Sequence, residues 1–213
     1  MNILIVSAHP DDETIGMGGT IKKLSKDNKI ILCVVSEGAS AQYEDKKMIK
    51  VRRDACRDSG KILGISEFIF LDFPDMRLDT IPHLEINREL EKIIKQYKPK
   101  IVYSPPHNDL NKDHQKVYES CLVSTRPSSS SVKQLLCYEL PGIVKEPFHP
   151  SVYENIVKEM PFKIKAFKKY DSEVEKFPHH RSVESLENLA IQRGIECGHR
   201  KAEAFDLIRS ILD

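Results

Sequence analysis

Apolar residues in this chain come in short runs separated by longer stretches of mixed character. Asn2 to Ser7, Lys29 to Val35, Phe68 to Leu71 and Lys100 to Tyr103 read as strands. Thr14 to Lys26, Lys46 to Leu63, Leu84 to Tyr97 and Asp113 to Val123 have helical composition. Strand and helix in alternation predict βαβ units, hence an α/β fold: a Rossmann-like three-layer sandwich on a mostly parallel, twisted sheet covered on both faces. Leu63-Gly64-Ile65 reads as a helix exit at glycine, and Gln134 to Leu140 as one more strand, ending at Pro141-Gly142. Pro127 to Ser131 is a loop too short to separate domains. Pro141 to Val152 is irregular, either a wall or lid of a cleft or a plain connection. Pro161 to Leu212 is mostly helical in composition, with a break at Phe177-Pro178. There is no internal repeat, and the expectation is one domain over 1–213.

The first strand runs straight into His9-Pro10-Asp11-Asp12-Glu13. Loops at strand ends are where α/β proteins place their sites. A nucleotide phosphate needs glycines for close approach and no opposing charge, whereas Asp11, Asp12 and Glu13 repel a phosphate and suit a cation. A second cluster, His107-Asn108-Asp109-Leu110-Asn111-Lys112-Asp113-His114, follows the strand ending at Tyr103. Two loops at strand ends can converge on one ion. Three protein ligands of imidazole and carboxylate type with an open position describe catalytic Zn2+. Two histidines and one carboxylate equally describe Fe2+. The competing reading of the first loop is a solvated turn in which Asp11 or Asp12 caps the next helix.

Ala8-His9-Pro10-Asp11-Asp12-Glu13 together with Asp113-His114 resembles the signature of the PIG-L/LmbE-like N-deacetylases, zinc enzymes that remove acetyl groups from N-acetylated sugars and their conjugates. The similarity continues through Ser36-Glu37-Gly38-Ala39-Ser40, Arg52-Arg53, Asp109 to His114, Arg126-Pro127, Pro178-His179-His180-Arg181-Ser182 and Ala202-Glu203-Ala204-Phe205, so it covers most of the chain. The resemblance implies His9, Asp12 and His114 as metal ligands and Asp11 as general base. The chain departs from the pattern at Asn111, where many members carry a histidine. An asparagine amide can donate to an oxyanion but cannot transfer a proton.

The implied chemistry is coherent. A metal ion polarises the amide carbonyl and lowers the pKa of water from 15.7 to about 7. Asp11 takes the proton of the attacking water, Asn111 donates to the oxyanion, and His107 or Asp11 protonates the leaving amine. Asp113 is expected to orient a histidine rather than bind metal. Arg52 is the family-supported substrate contact, its alternative being a surface ion pair with Asp54 or Asp58. Glu37 is placed either to bind a sugar hydroxyl or to cap a loop. His180 and Arg181 either reach back to the cleft or form an exposed turn. The other functions in play are hydrolysis of a different amide or ester at the same ion, and noncatalytic carbohydrate or metal binding.

Composition narrows the partners. With 33 basic and 32 acidic side chains the formal charge is +1, which supplies no general attraction to nucleic acid or membrane. Apolar runs are strand-length, short of the roughly 20 residues of a membrane span. The N-terminal sequence lacks a basic segment ahead of a signal-like core, so a cytoplasmic enzyme is expected, with a homo-oligomer possible. Five cysteines without a Cys-x-x-Cys pair do not make a disulfide scaffold; Cys33 and Cys137 are expected to be small buried apolar residues. Lys163, Lys165, Lys168 and Lys169 are expected to form a solvated helix face.

Overall fold

The first strand, β1 (Asn2–Ser7), sends Ile3 and Ile5 into one apolar core and Leu4 and Val6 into another, as a period-2 strand buried on both faces must. The computed structural model describes residues 1–142 and 144–212. After β1 come α1 (Asp12–Leu24), β2 (Lys29–Ser36), α2 (Lys47–Leu63), β3 (Glu67–Phe73), a 3-10 turn (Leu78–Thr80), α3 (His83–Tyr97), β4 (Ile101–Ser104) and α4 (Lys112–Ser124). The second half adds β5 (Gln134–Tyr138), β6 (Val152–Asn155), α5 (Met160–Phe167), α6 (Val183–Cys197) and β7 (Ala202–Ser210).

The strands form one sheet in the order β3-β2-β1-β4-β5-β7-β6. The pairs from β3 to β5 are parallel, and β7 runs antiparallel to both β5 and β6. Core residues of α1, α2, α5 and α6 cover one face of the sheet, and those of α3 and α4 cover the other. The mostly parallel three-layer sandwich is therefore present. Because the chain leaves β1 toward β2 on one side and later returns to β4 on the other, a crevice opens between β1 and β4 at their C-terminal ends.

Two expectations change. The segment after Pro161 is not helical to its end: Ala202–Ser210 is the nine-residue strand β7. Its buried start, Ala202 to Phe205, pairs with β6, and Phe205 to Ser210 pair with β5, so tertiary pairing overrides a composition rich in helix formers. Lys163 is not on a solvated face either. It is buried and paired with Glu203 at 2.7 Å, while Lys165, Lys168 and Lys169 are exposed. Helix α2 does end at Gly64, with φ 91°. All five cysteines are free, and Cys33 and Cys137 are buried.

Candidate active site

The turn between β1 and α1 carries its charged residues inward. Asp11 adopts φ 126° and ψ −28°, a conformation costly for a residue with a Cβ, by about 1 to 3 kcal/mol. Surrounding bonds hold it there. Its carbonyl accepts from the N–H groups of Thr14 and Ile15 at 3.0 and 2.9 Å, and Arg52 donates to the neighbouring Pro10 carbonyl at 2.7 Å. His9 N–H donates to Asp12 Oδ2 at 2.9 Å. Gly38, at φ 65°, lets the loop after β2 lie on Pro10, since a Cβ there would sit 2.3 Å from the proline Cδ.

Across the crevice, α4 starts at the N-cap Asn111, whose side-chain oxygen accepts from Asp113 N–H at 2.8 Å. His114 thereby faces His9. His9 Nδ1 and His114 Nε2 stand 3.2 Å apart, His114 Nε2 and Asp12 Oδ1 3.4 Å, and His9 Nδ1 and Asp12 Oδ2 3.7 Å. Donors about 2.0 to 2.2 Å from a tetrahedral zinc lie about 3.3 to 3.6 Å from one another, so this triad has the dimensions of three corners of such a site.

The carboxylates behind the two rings suit that reading. His9 Nε2 faces Asp113 Oδ2 at 3.1 Å and Asp75 Oδ1 at 3.3 Å, and His114 Nδ1 faces Asp109 Oδ2 at 2.7 Å. A carboxylate draws the ring proton to the nitrogen it faces and leaves the other nitrogen as a lone-pair donor. In their neutral forms, the ones that can bind a metal, both rings then turn a lone pair toward Asp12. Asp113 is itself held by the N–H groups of Met76 and Leu78 at 2.8 and 3.0 Å. Burial disfavours the charged form of His114, but Asp12 and Asp109 outweigh it and push its pKa up to about 10. Asp12 is held below the usual carboxylate range: burial raises it, and His114 and His9 more than reverse that. The pocket thus favours positive charge, as a divalent ion would supply.

Asp11 lies behind this triad, fully buried, with Oδ1 unpartnered and Oδ2 within 3.4 Å of Arg181 and 3.5 Å of Arg52. Burial raises its pKa against the pull of Arg181 and Arg52. Beneath it, Glu13 is pushed up to about 7 by burial, although Tyr170 and Thr14 hydroxyls donate to it at 2.7 Å each. In front, a cavity of about 150 Å³ is walled by Asp12, Asp109, Asn111, His114, His180 and Arg181 among others.

The structure brings together His9, Asp11, Asp12, Asn111, Asp113, His114, His180 and Arg181. It places three expected residues elsewhere. His107 points away from the cavity, half-exposed, toward Asp206 at 3.7 Å and the Tyr118 ring, because it precedes the turn that leads into α4. Glu37 spends its carboxylate on the N–H groups of Ala39, Ser40 and Asp75, the loop-capping role. Arg52 is buried behind Asp11, bound to Asp11, Glu173 and the Pro10 carbonyl, and does not reach the cleft wall. Sequence reasoning missed Asp75 and Glu173 and gave Asp109 no role beyond its place in the second cluster. Asp109 had a positional signal, lying five residues ahead of His114; Glu173, in a Lys/Glu-rich stretch, had none.

Residues 4–123 match the family model described as PIG-L, GlcNAc-PI de-N-acetylase. The chain belongs to the PIG-L family. A relative from Escherichia coli K12, the uncharacterized deacetylase YaiS, is 32% identical over 179 residues, covering 80% of this chain and 90% of YaiS. The diacetylchitobiose deacetylase of Thermococcus kodakarensis is 24% identical over 226 residues, 98% of this chain and 84% of that one. Among solved structures, the N,N'-diacetylchitobiose deacetylase of Pyrococcus horikoshii superposes with a TM-score of 0.82 at 23% identity, covering 98% of this chain and 84% of that one. The PIG-L model spans β1 through most of α4 and so includes all three members of the His9-Asp12-His114 triad.

Proposed function

We propose that this protein is a zinc-dependent N-deacetylase that hydrolyses the acetamide of an N-acetylated amino sugar or glycoconjugate. The observation that carries the proposal is the convergence of His9 Nδ1, His114 Nε2 and an Asp12 oxygen, all within 4.8 Å of one another, beside the buried carboxylate of Asp11. The relatives named as deacetylases supply the reaction class, and the diacetylchitobiose enzymes supply the sugar.

His9, Asp12 and His114 would hold the ion, whose chemistry is to polarise the acetyl carbonyl and lower the pKa of water to about 7. Asp11 accepts the proton of the attacking water. Its Oδ1 is free to do so because both arginines engage Oδ2. Asn111 has its amide oxygen committed as a helix cap; one hydrogen of its NH2 group faces Met76 Sδ at 3.5 Å, and the other is the donor for the developing oxyanion. Asp11 then returns the proton to the departing amine, a role that the position of His107 does not allow that residue to fill. His180 and Arg181 line the cleft where the sugar hydroxyls would lie. The free cysteines suit a reducing compartment, so we place the enzyme in the cytoplasm. No helix among the described residues is long and apolar enough to cross a membrane.

The test is acetate release from N-acetylglucosamine, N,N'-diacetylchitobiose and N-acetylated sugar nucleotides by zinc-loaded protein. Asp11→Asn is expected to keep its metal content and lose turnover by about 10² to 10⁴-fold, the range for a general base. Turnover unchanged in Asp11→Asn would overturn the base assignment. Wild-type protein that holds zinc yet releases no acetate from any of these substrates would overturn the sugar reading.

A further inference from the structure

Four charged side chains meet behind the triad. Arg52 is 2% exposed, Asp11 0% and Glu173 4%, and Arg181 enters from the cleft wall. Two positive and two negative charges cancel, as burial at this depth demands. Glu173 is the centre of the group. Its Oε1 is ion-paired with Arg52 Nη1 and accepts from the Tyr43 hydroxyl at 3.3 Å and the Ser172 hydroxyl at 3.0 Å, and its Oε2 is ion-paired with Arg181 Nη1.

Each arginine is therefore shared between Glu173 and Asp11, and both touch the same oxygen of Asp11. Arg52 Nη2 lies 3.5 Å and Arg181 Nη1 3.4 Å from Oδ2, while Oδ1 has no partner. Removing Glu173 would leave Arg181 with Asp11 as its remaining ion pair, and Arg52 with Asp11 and the Pro10 carbonyl. The bridge also ties distant stretches of the chain together. Arg52 belongs to α2, whereas Glu173 and Arg181 lie between α5 and α6, on the segment that brings His180 to the cleft.

We propose that Glu173 is a positioning residue for the deacetylation: by gripping Arg52 and Arg181 it fixes both guanidinium groups on Oδ2 of Asp11, keeps Oδ1 free to accept a proton, and seats Arg181 in the cleft wall. The inference rests on the N-deacetylase reading for its effect on rate, and stands on its own for the bridge between α2 and the segment 171–182.

Zinc-loaded wild type, Glu173→Gln, Arg181→Ala and the double variant are compared on N,N'-diacetylchitobiose, and amide hydrogen exchange is followed over 171–182. Glu173→Gln is expected to lower kcat about 10²-fold, the cost of misplacing a reacting group by about 1 Å, with KM within about twofold, and to speed exchange over 171–182 by at least about tenfold. In the Arg181→Ala background the same substitution should cost less, since the part that acts through Arg181 is already gone and only the part through Arg52 remains. An unchanged kcat, or a loss of the same size in both backgrounds, overturns the positioning role. If wild type releases no acetate, the activity reading fails and exchange alone decides: faster exchange supports the bridge, and unchanged exchange overturns it. Should Glu173→Gln not fold, Glu173→Asp, which keeps the charge but shortens the reach, is read in the same way.

Discussion

Asp109 shows how a single side chain can set the chemistry of another. Its Oδ2 lies 2.7 Å from His114 Nδ1, so the ring proton is held on that side and Nε2 is left to face Asp12. Asp113 and Asp75 do the same for His9. Asp109→Asn keeps the size of the residue but replaces an obligate acceptor by a group that can turn a donor toward the ring. Metal affinity is expected to fall about 10 to 100-fold, the usual cost of losing such a partner, as measured by competition with a chromophoric chelator. Equal affinity in the variant would mean that the tautomer of His114 is set by something else. Residues of this kind explain what was and was not legible in the sequence. His9, Asp12 and His114 stand in short motifs at strand ends, and Asp113 is adjacent to one of them. Asp75 follows β3 and reaches His9 only because β3 lies two strands away in the sheet, a proximity with no local trace. Arg52 was legible as a motif residue, but its side of Asp11 was not.

At the level of elements, the parallel half of the sheet was readable because β1 to β4 are short apolar runs each followed by a helix with ordinary punctuation, and β5 is an apolar run closed by Pro141-Gly142. The antiparallel half was not. β6 has four residues, and β7 interrupts its apolar positions with Glu203, Asp206 and Arg209, so neither shows a clear period. Glu203 has a reason to be there. Helix α1 breaks its regular geometry at Met17, with φ −144°, and the N–H groups of Gly19 and Thr20 just beyond donate to the Glu203 carboxylate at 2.9 and 2.6 Å. Lys163 of α5 completes the cluster at 2.7 Å from Glu203. A carboxylate on β7 thus caps the latter half of the helix that begins at the His9-to-Asp12 turn. Glu203→Ala strands a buried lysine and two backbone donors, and is expected to cost about 3 to 5 kcal/mol. Lys163→Met should cost less, because Glu203 keeps its two backbone partners. Thermal or urea unfolding of the two variants checks the order, and a larger loss for Lys163→Met would mean that the lysine, not the capping carboxylate, holds α1 to β7.

For the molecule as a whole, the strand order decides where chemistry is possible. The crevice between β1 and β4 is flanked by two chain segments about a hundred residues apart, one ending in His9 to Asp12 and the other in Asp109 to His114; Asp11 is balanced by Arg52 and Arg181, whereas Asp12, Asp75, Asp109 and Asp113 pair, among the described residues, only with the imidazole rings. An ion bound by both segments ties the two sides of the sheet together in the folded state and finds no such site in the unfolded chain. Its binding therefore adds to stability, by about 2.7 kcal/mol when free metal stands at 100 times Kd. For a chain of this length each kcal/mol moves Tm by about 2 to 4 °C. Stripping the protein with a chelator should accordingly lower Tm by about 5 to 11 °C, and restoring zinc should recover it. His114→Ala removes the ligand supplied by the second segment, so its Tm should be nearly indifferent to chelator. A shift of wild-type size in that variant would show that the ion is held without His114, as the neighbouring set His9, Asp75 and Asp113 could hold it, and the assignment of the His9-Asp12-His114 triad as the metal site would fall with it.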